Sequence, residues 1–166
     1  MGDKMSENSA SDEITLDRTD KAILRLLQQD NKMSQRKIAE LVNLSAPAVQ
    51  RRIKRLEETG VIQANVAIVD PAKVGQPIIL FAQVAMESER TDLYEMAKRS
   101  FVAAPEVQQC YYVTGEADFM LVISVRSMSD YEALTRRLFF ENNNVKHFRT
   151  FVAMDRVKVG LSIPLG

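Results

Sequence analysis

The chain has one cysteine, one histidine and no tryptophan in 166 residues. With Cys110 alone no intrachain disulfide can form, and with His147 alone the usual Cys/His zinc spacings cannot be assembled. Cys110 lies in a strand-like run, where a small buried thiol is the ordinary reading, and His147 alternates within another strand. A nucleophile–base pair, a phosphate loop and a metal spacing are all missing too. The sequence therefore assigns no catalytic residue, cofactor or metal ligand, and reads as a non-enzyme. No run of 18 apolar residues and no charged-then-apolar leader occurs, which predicts neither a membrane span nor a secretory signal, and a cytoplasmic location. Net charge is also absent, since 22 Lys and Arg balance 22 Asp and Glu. Any attraction for a polyanion must come from a local concentration of cations.

Such a concentration exists. Between Lys32 and Arg55 stand seven cations, Lys32, Arg36, Lys37, Arg51, Arg52, Lys54 and Arg55, against the single anion Glu40. The stretch Ser45–Gly60 reads as one helix with marked ends: Ser45 caps the free N–H groups, Pro47 falls in the first turn, and Gly60 suits the left-handed position after the last turn. At 100° per residue Val49, Ile53 and Leu56 share a stripe, while Pro47, Gln50, Arg51 and Lys54 point the other way with Arg55 beside them. A second helix, Ser34–Val42, precedes it, and only Asn43 and Leu44 intervene. Asparagine tolerates the left-handed conformation a tight connection needs, so the pair predicts a helix-turn-helix.

Asp17 is the expected cap of a first helix ending near Gln29, with Asp20 in its first turn where negative charge meets the helix dipole. The three helices predict one small core of Ile23, Leu27, Ile38, Leu41, Val49, Ile53 and Leu56. Residues 1–14 carry four acids and little to bury, which predicts a disordered acidic tail. After Gly60, Val61–Val69 alternates as a strand and would supply a wing, and Asp70–Pro77, with Pro71, Gly75 and Pro77, breaks the pattern. The expected divisions are thus 15–62 for the helix-turn-helix domain, 63–77 for a linker strand and hinge, and 78–166 for a second domain.

That second domain reads strand, helix, strand, strand, helix, strand. Strands are expected at Ile78–Met86, Val107–Thr114, Phe119–Val125 and Val145–Met154. One helix runs over Asp92–Ala103 with Leu93, Met96, Ala97 and Phe101 inward, and the other opens on a Ser129/Glu132 capping box with Leu134 and Leu138 inward. The order predicts an α+β chain with an N-terminal winged helix-turn-helix and a C-terminal ferredoxin-like βαββαβ domain. Ile78–Ala82 and Phe119–Val125 are apolar on both faces, although an antiparallel sheet with one wet face should alternate. With no further helix to cover the second face, a homodimer through this domain is expected.

The runs Leu16-Asp-Arg-Thr-Asp-Lys-Ala-Ile-Leu24, Ile38-Ala-Glu-Leu41 and Leu44–Ile62 resemble the N-terminal domain of the Lrp/AsnC family of leucine-responsive, or feast/famine, regulators. Val113-Thr-Gly-Glu-Ala-Asp-Phe119 resembles the glycine-to-aspartate turn of that family's effector domain. Asn43 stands where a glycine is common, and Glu141–Asn144 replaces a usual Pro-Gly turn. The resemblance implies a bacterial or archaeal transcription factor that binds double-stranded DNA, dimerises through its C-terminal domains, often assembles into an octamer, and responds to an amino acid effector.

On this reading Ser45, Ala46 and Pro47 open the helix that enters the major groove. Gln50 suits bidentate contact to adenine and Arg51 contact to guanine or phosphate. Arg52, Lys54, Arg55, Arg36 and Lys37 are expected at backbone phosphates, which position without specifying. For the effector, Gly115 lets backbone N–H groups approach a carboxylate, Asp118 offers a partner for an α-ammonium and Thr114 a hydroxyl. A Gly and an Asp also simply make a good hairpin turn. The competing reading is an amino-acid-binding regulatory subunit of an enzyme that does not bind DNA, against which the seven-to-one cation excess argues.

Overall fold

The computed structural model describes residues 14–142 and 144–166. Apart from Ile14, the expected acidic tail lies outside the described residues. The chain divides into two compact units, one running to Ala67 and including Gly160–Gly166, the other spanning Ile68–Val159. The break thus falls inside the 63–77 linker. The last seven residues, expected with the second domain, group with the helices.

In the helical unit, α1 (Arg18–Gln29), α2 (Gln35–Val42) and α3 (Ala46–Glu58) begin where their caps are written. Asp17, Ser34 and Ser45 each accept from the N–H three residues on, supplying a partner the first turn otherwise lacks. Asn43 takes the left-handed conformation at φ 54°, which turns α2 into α3 without a glycine. Ile23, Ile38, Ala39 and Val49 form the core, with Leu27, Val42 and Ile53 packed against it. Leu41, expected inside, is half-exposed. On α2 the residue four after Ile38 lies about 40° from it and the residue three after about 60°, so Val42 takes the inward position.

The expected strand Val61–Val69 forms no ladder among the described residues: 63–69 carries no regular secondary structure and is exposed throughout. None of its backbone groups from Gln63 to Val69 bonds another described backbone group. A strand needs a neighbour, and the described residues offer it none.

The second unit follows the expected order: β1 (Ile78–Met86), α4 (Thr91–Ala103), β2 (Val107–Tyr112), β3 (Phe119–Val125), α5 (Met128–Thr135) with a π-helical turn (Arg136–Phe140), and β4 (Val145–Val152). The antiparallel sheet runs β2-β3-β1-β4. Alternation sends Leu80, Ala82 and Val84 of β1 and Phe119, Leu121 and Ile123 of β3 into a core with Ala97 and Phe101 of α4, Leu134 of α5 and Leu138 of the π-helical turn. Each such large side chain contributes roughly 1.5–3 kcal/mol on burial. Met96, expected inward on α4, is half-exposed; Tyr94 packs against the core in its place. The cap of α5 is Ser127, whose Oγ accepts from the Asp130 N–H at 3.1 Å, two residues before the expected Ser129.

On the opposite face Phe81 of β1 lies directly beside Val122 of β3 and Phe151 of β4. Phe81 and Phe151 remain 39% and 50% exposed, so this apolar stripe has no cover among the described residues.

Candidate DNA-reading helix and effector turn

The caps and the Val49 and Leu56 contacts fix which edge of α3 meets water. Along that edge Ser45, Pro47, Gln50, Arg51 and Lys54 are exposed, with Ala46 and Ala48 partly so. Arg51 makes no ion pair among the described residues, and Lys54 meets only the exposed Glu58 at 3.5 Å. Arg36 and Lys37 on α2 both face Glu40 at 3.6 and 3.7 Å, all three in water. Exposed pairs of this kind are worth about 0–1 kcal/mol, so these cations exchange readily onto a phosphate.

Arg55 and Arg52 behave differently. Asp20 is fully buried, and its two oxygens accept from Arg52 Nη1 at 2.8 Å and Arg55 Nη2 at 2.5 Å. Arg52 Nη1 also reaches Asp17 Oδ2 at 2.6 Å, and Asp17 and Asp20 bond each other's backbone N–H as a reciprocal capping box. Arg52 and Arg55, both expected at phosphates, are therefore committed to carboxylates of their own chain. Asp17, read as a cap, and Asp20, read as a helix-dipole partner, are also the anchor of α3 on α1. That role was missed because 32 to 35 residues separate the partners and nothing local marks the pairing. The Asp20 backbone N–H and the Arg52 guanidinium hold the Asp17 carboxyl below the usual carboxylate range. A lowered carboxyl stabilises the fold above its unfolded value and loses that contribution as pH falls through the folded one, so acid weakens this anchor. A concavity of about 490 Å³ lies over Arg51, Arg52 and Arg55.

In the second unit Thr114 and Gly115 sit exposed in the β2–β3 turn. Gly115 has φ 124°, a conformation side-chain-bearing residues rarely adopt. Asp118 does not stand free in this turn. Its Oδ2 accepts the Met86 N–H at 2.7 Å and its Oδ1 accepts the Tyr94 hydroxyl at 2.6 Å, while its own N–H donates to Val84 O at 2.9 Å. The residue expected to hold an ammonium is thus also the peg fixing the turn to β1 and α4. Tyr94, absent from the sequence reading, stacks near Tyr112 and Phe119. Its phenol is driven well above its ordinary range, chiefly by donating to Asp118 and then by burial. A raised pKa gives stability that is complete below the unfolded value, about 10, and lost as pH rises through the folded one. Tyr94→Phe is expected to cost about 1–2 kcal/mol near neutral pH and to remove this alkaline dependence, as urea titrations at pH 7 and above pH 10 measure.

Cys110 packs against the core and burial pushes its thiol up, in keeping with an inert side chain. His147 is exposed on the sheet's open face. Among the described residues no His, Cys, Asp and Glu cluster has metal-binding form, and no helix is long and apolar enough to cross a membrane.

A capped helix-turn-helix with an outward polar and basic edge, followed by a ferredoxin-like unit, defines a DNA-binding regulator with a ligand-binding domain. Residues 16–63 match the winged helix-turn-helix DNA-binding model and residues 79–163 the Lrp/AsnC ligand-binding domain. The chain belongs to the Lrp/AsnC family of transcriptional regulators. It is 45% identical over 150 residues to an HTH-type transcriptional regulator of Sinorhizobium fredii, covering 90% of this chain and 89% of that one. An AsnC family regulator from Agrobacterium tumefaciens superposes with TM-score 0.84 at 30% identity, over 90% of this chain and 97% of that one. The regulator NMB0573 of Neisseria meningitidis, solved as its L-Met complex, also gives TM-score 0.84, at 27% identity and the same coverage.

Proposed function

We propose that this regulator binds a two-fold-symmetric duplex site as a homodimer and that an amino acid effector, held where subunits meet around Thr114, Gly115 and Asp118, changes its affinity for that site. The observation that carries the DNA-reading half is the edge of α3. It presents Gln50 and an Arg51 with no ion pair among the described residues, while Arg52 and Arg55 are held by Asp17 and Asp20. Gln50 reads adenine, Arg51 a guanine or phosphate, and Lys54, Arg36 and Lys37 neutralise the backbone.

The uncovered stripe of Phe81, Val122 and Phe151 supports pairing with a second copy, as does the unladdered segment 63–69. A two-fold pair places two α3 helices about one helical turn of DNA, or a multiple, apart. For the effector, the relative solved with L-Met supports an amino acid. At the turn, backbone N–H groups beside Gly115 suit the carboxylate. Asp118 uses two acceptor sites internally, of the about four a carboxylate offers.

The test is selection of bound fragments from random duplex DNA, followed by titration of the selected site with each of the twenty amino acids present in turn. An enriched pseudo-palindrome whose affinity shifts with one or a few amino acids is the expected result. Retention of all sequences alike, or none, rules the reading out.

A further inference from the structure

We propose that the ligand-binding unit carries a second small-molecule site, at the end of its sheet remote from the Thr114–Asp118 turn, that takes a zwitterionic amino acid with an apolar side chain. This deepens the effector reading above and rests on it for the class of ligand. A cavity of about 520 Å³ opens between the start of β2, the end of β3, α5 and the turn at Pro71–Val74. That volume lies in the usual range for small-molecule sites, roughly 300–1,000 Å³. The register of β1 on β3 runs from Ile78 beside Val125, at the cavity, to Val84 beside Phe119, at the turn. Six residues of strand separate the two ends by about 20 Å, so no single small ligand touches both.

The lining specifies the chemistry. Val74, Val125 and Leu134 give the cavity apolar walls. Two ion pairs also line it: Arg126 grips Asp130 bidentately, at 2.9 and 3.1 Å, and Arg137 meets Glu106 at 2.8 Å. Both arginines are more than half exposed, at 70% and 52%. Their acids are less exposed, Asp130 at 33% and Glu106 at 29%, and of the two pairs the single-contact Arg137–Glu106 opens at the lower cost, the bidentate Arg126–Asp130 pair being held more firmly. A zwitterion inserted across one of them gives its carboxylate to the guanidinium and its ammonium to the released acid, so every charge keeps a partner. A simple anion or cation strands one member of the pair. The apolar walls then receive the side chain.

The experiment is calorimetric titration of the full chain with leucine, methionine and phenylalanine in turn, each beside its N-acetyl derivative, for the native protein and for Arg137→Gln, Glu106→Gln and Lys146→Ala. The two glutamine substitutions keep the shape of an exposed Arg137 and a partly exposed Glu106, and a normal unfolding transition verifies the fold. Binding of at least one amino acid is expected, weakened about tenfold by N-acetylation and by either glutamine substitution but left within about twofold by Lys146→Ala, an exposed position outside both this cavity and the Thr114–Asp118 turn. Unchanged affinity in both glutamine variants overturns the second site and leaves the effector reading intact. Binding that follows Arg137 and Glu106 yet never alters DNA affinity keeps the site and removes the effector role. Failure of all three amino acids to bind overturns the site outright.

Discussion

Asp20→Ala is expected to destabilise the helical unit by about 3 kcal/mol, at the low end for breaking a buried ion pair, because both arginines it releases can turn to water. The carboxylate is fully buried, with Arg52, Arg55 and the Asp17 N–H all bonded to it. Its removal frees α3 from α1 and takes half of the capping box with it. For a unit this small the cost lowers the melting temperature by more than about 10 °C. Differential scanning calorimetry measures it. The transition of the ferredoxin-like unit should stay in place, because its core includes no residue of α1, α2 or α3. Arg51→Ala, by contrast, leaves the melt unchanged, since its side chain makes no ion pair among the described residues. A melt equally sensitive to Arg51 and Asp20 would contradict the division between arginines that hold α3 and the arginine that faces DNA.

Val122→Glu is expected to abolish the proposed homodimer and leave a monomer. Val122 sits on the open face directly beside Phe81, and the glutamate has water to turn to in a single chain, so the unit still folds. In a two-fold pair the same substitution is made twice and brings like charges into an apolar contact, at a cost of several kcal/mol. Sedimentation velocity should show a single-chain species in place of the proposed dimer or its multiple. Operator affinity should fall by about a hundredfold, or about 3 kcal/mol, as the two half-sites are no longer read together. A variant that still sediments as the native species would place the dimer contact elsewhere.

The features readable in advance were those carried by neighbouring residues. Asp17, Ser34 and Ser45 declare helix starts because a cap acts over three residues, and Asn43 declares the tight connection through its tolerance of the left-handed region. The apolar runs of β1 and β3 marked both strands to the residue, and the second apolar face of each was visible as a failure to alternate. What was hidden depends on long-range partners. Val61–Val69 has the pattern of a strand, yet a ladder requires a neighbour that sequence periodicity does not report. The internal partners of Arg52, Arg55 and Asp118 come from α1, α4 and β1, and only the folded chain brings them together. A cation excess marks a region as basic without telling which arginines are already neutralised. In the same way the Gly115 to Asp118 spacing marks a turn without revealing that Tyr94 pegs it.

The most direct test of the DNA-reading account is fluorescence anisotropy of the native protein, Gln50→Ala and Lys54→Ala on the selected site and on a scrambled duplex, across a salt series. Gln50→Ala should lose about 1–3 kcal/mol on the selected site and almost nothing on the scrambled one, while Lys54→Ala should weaken both alike and flatten the salt dependence. Equal losses on both duplexes for Gln50→Ala would mean that α3 does not read the bases.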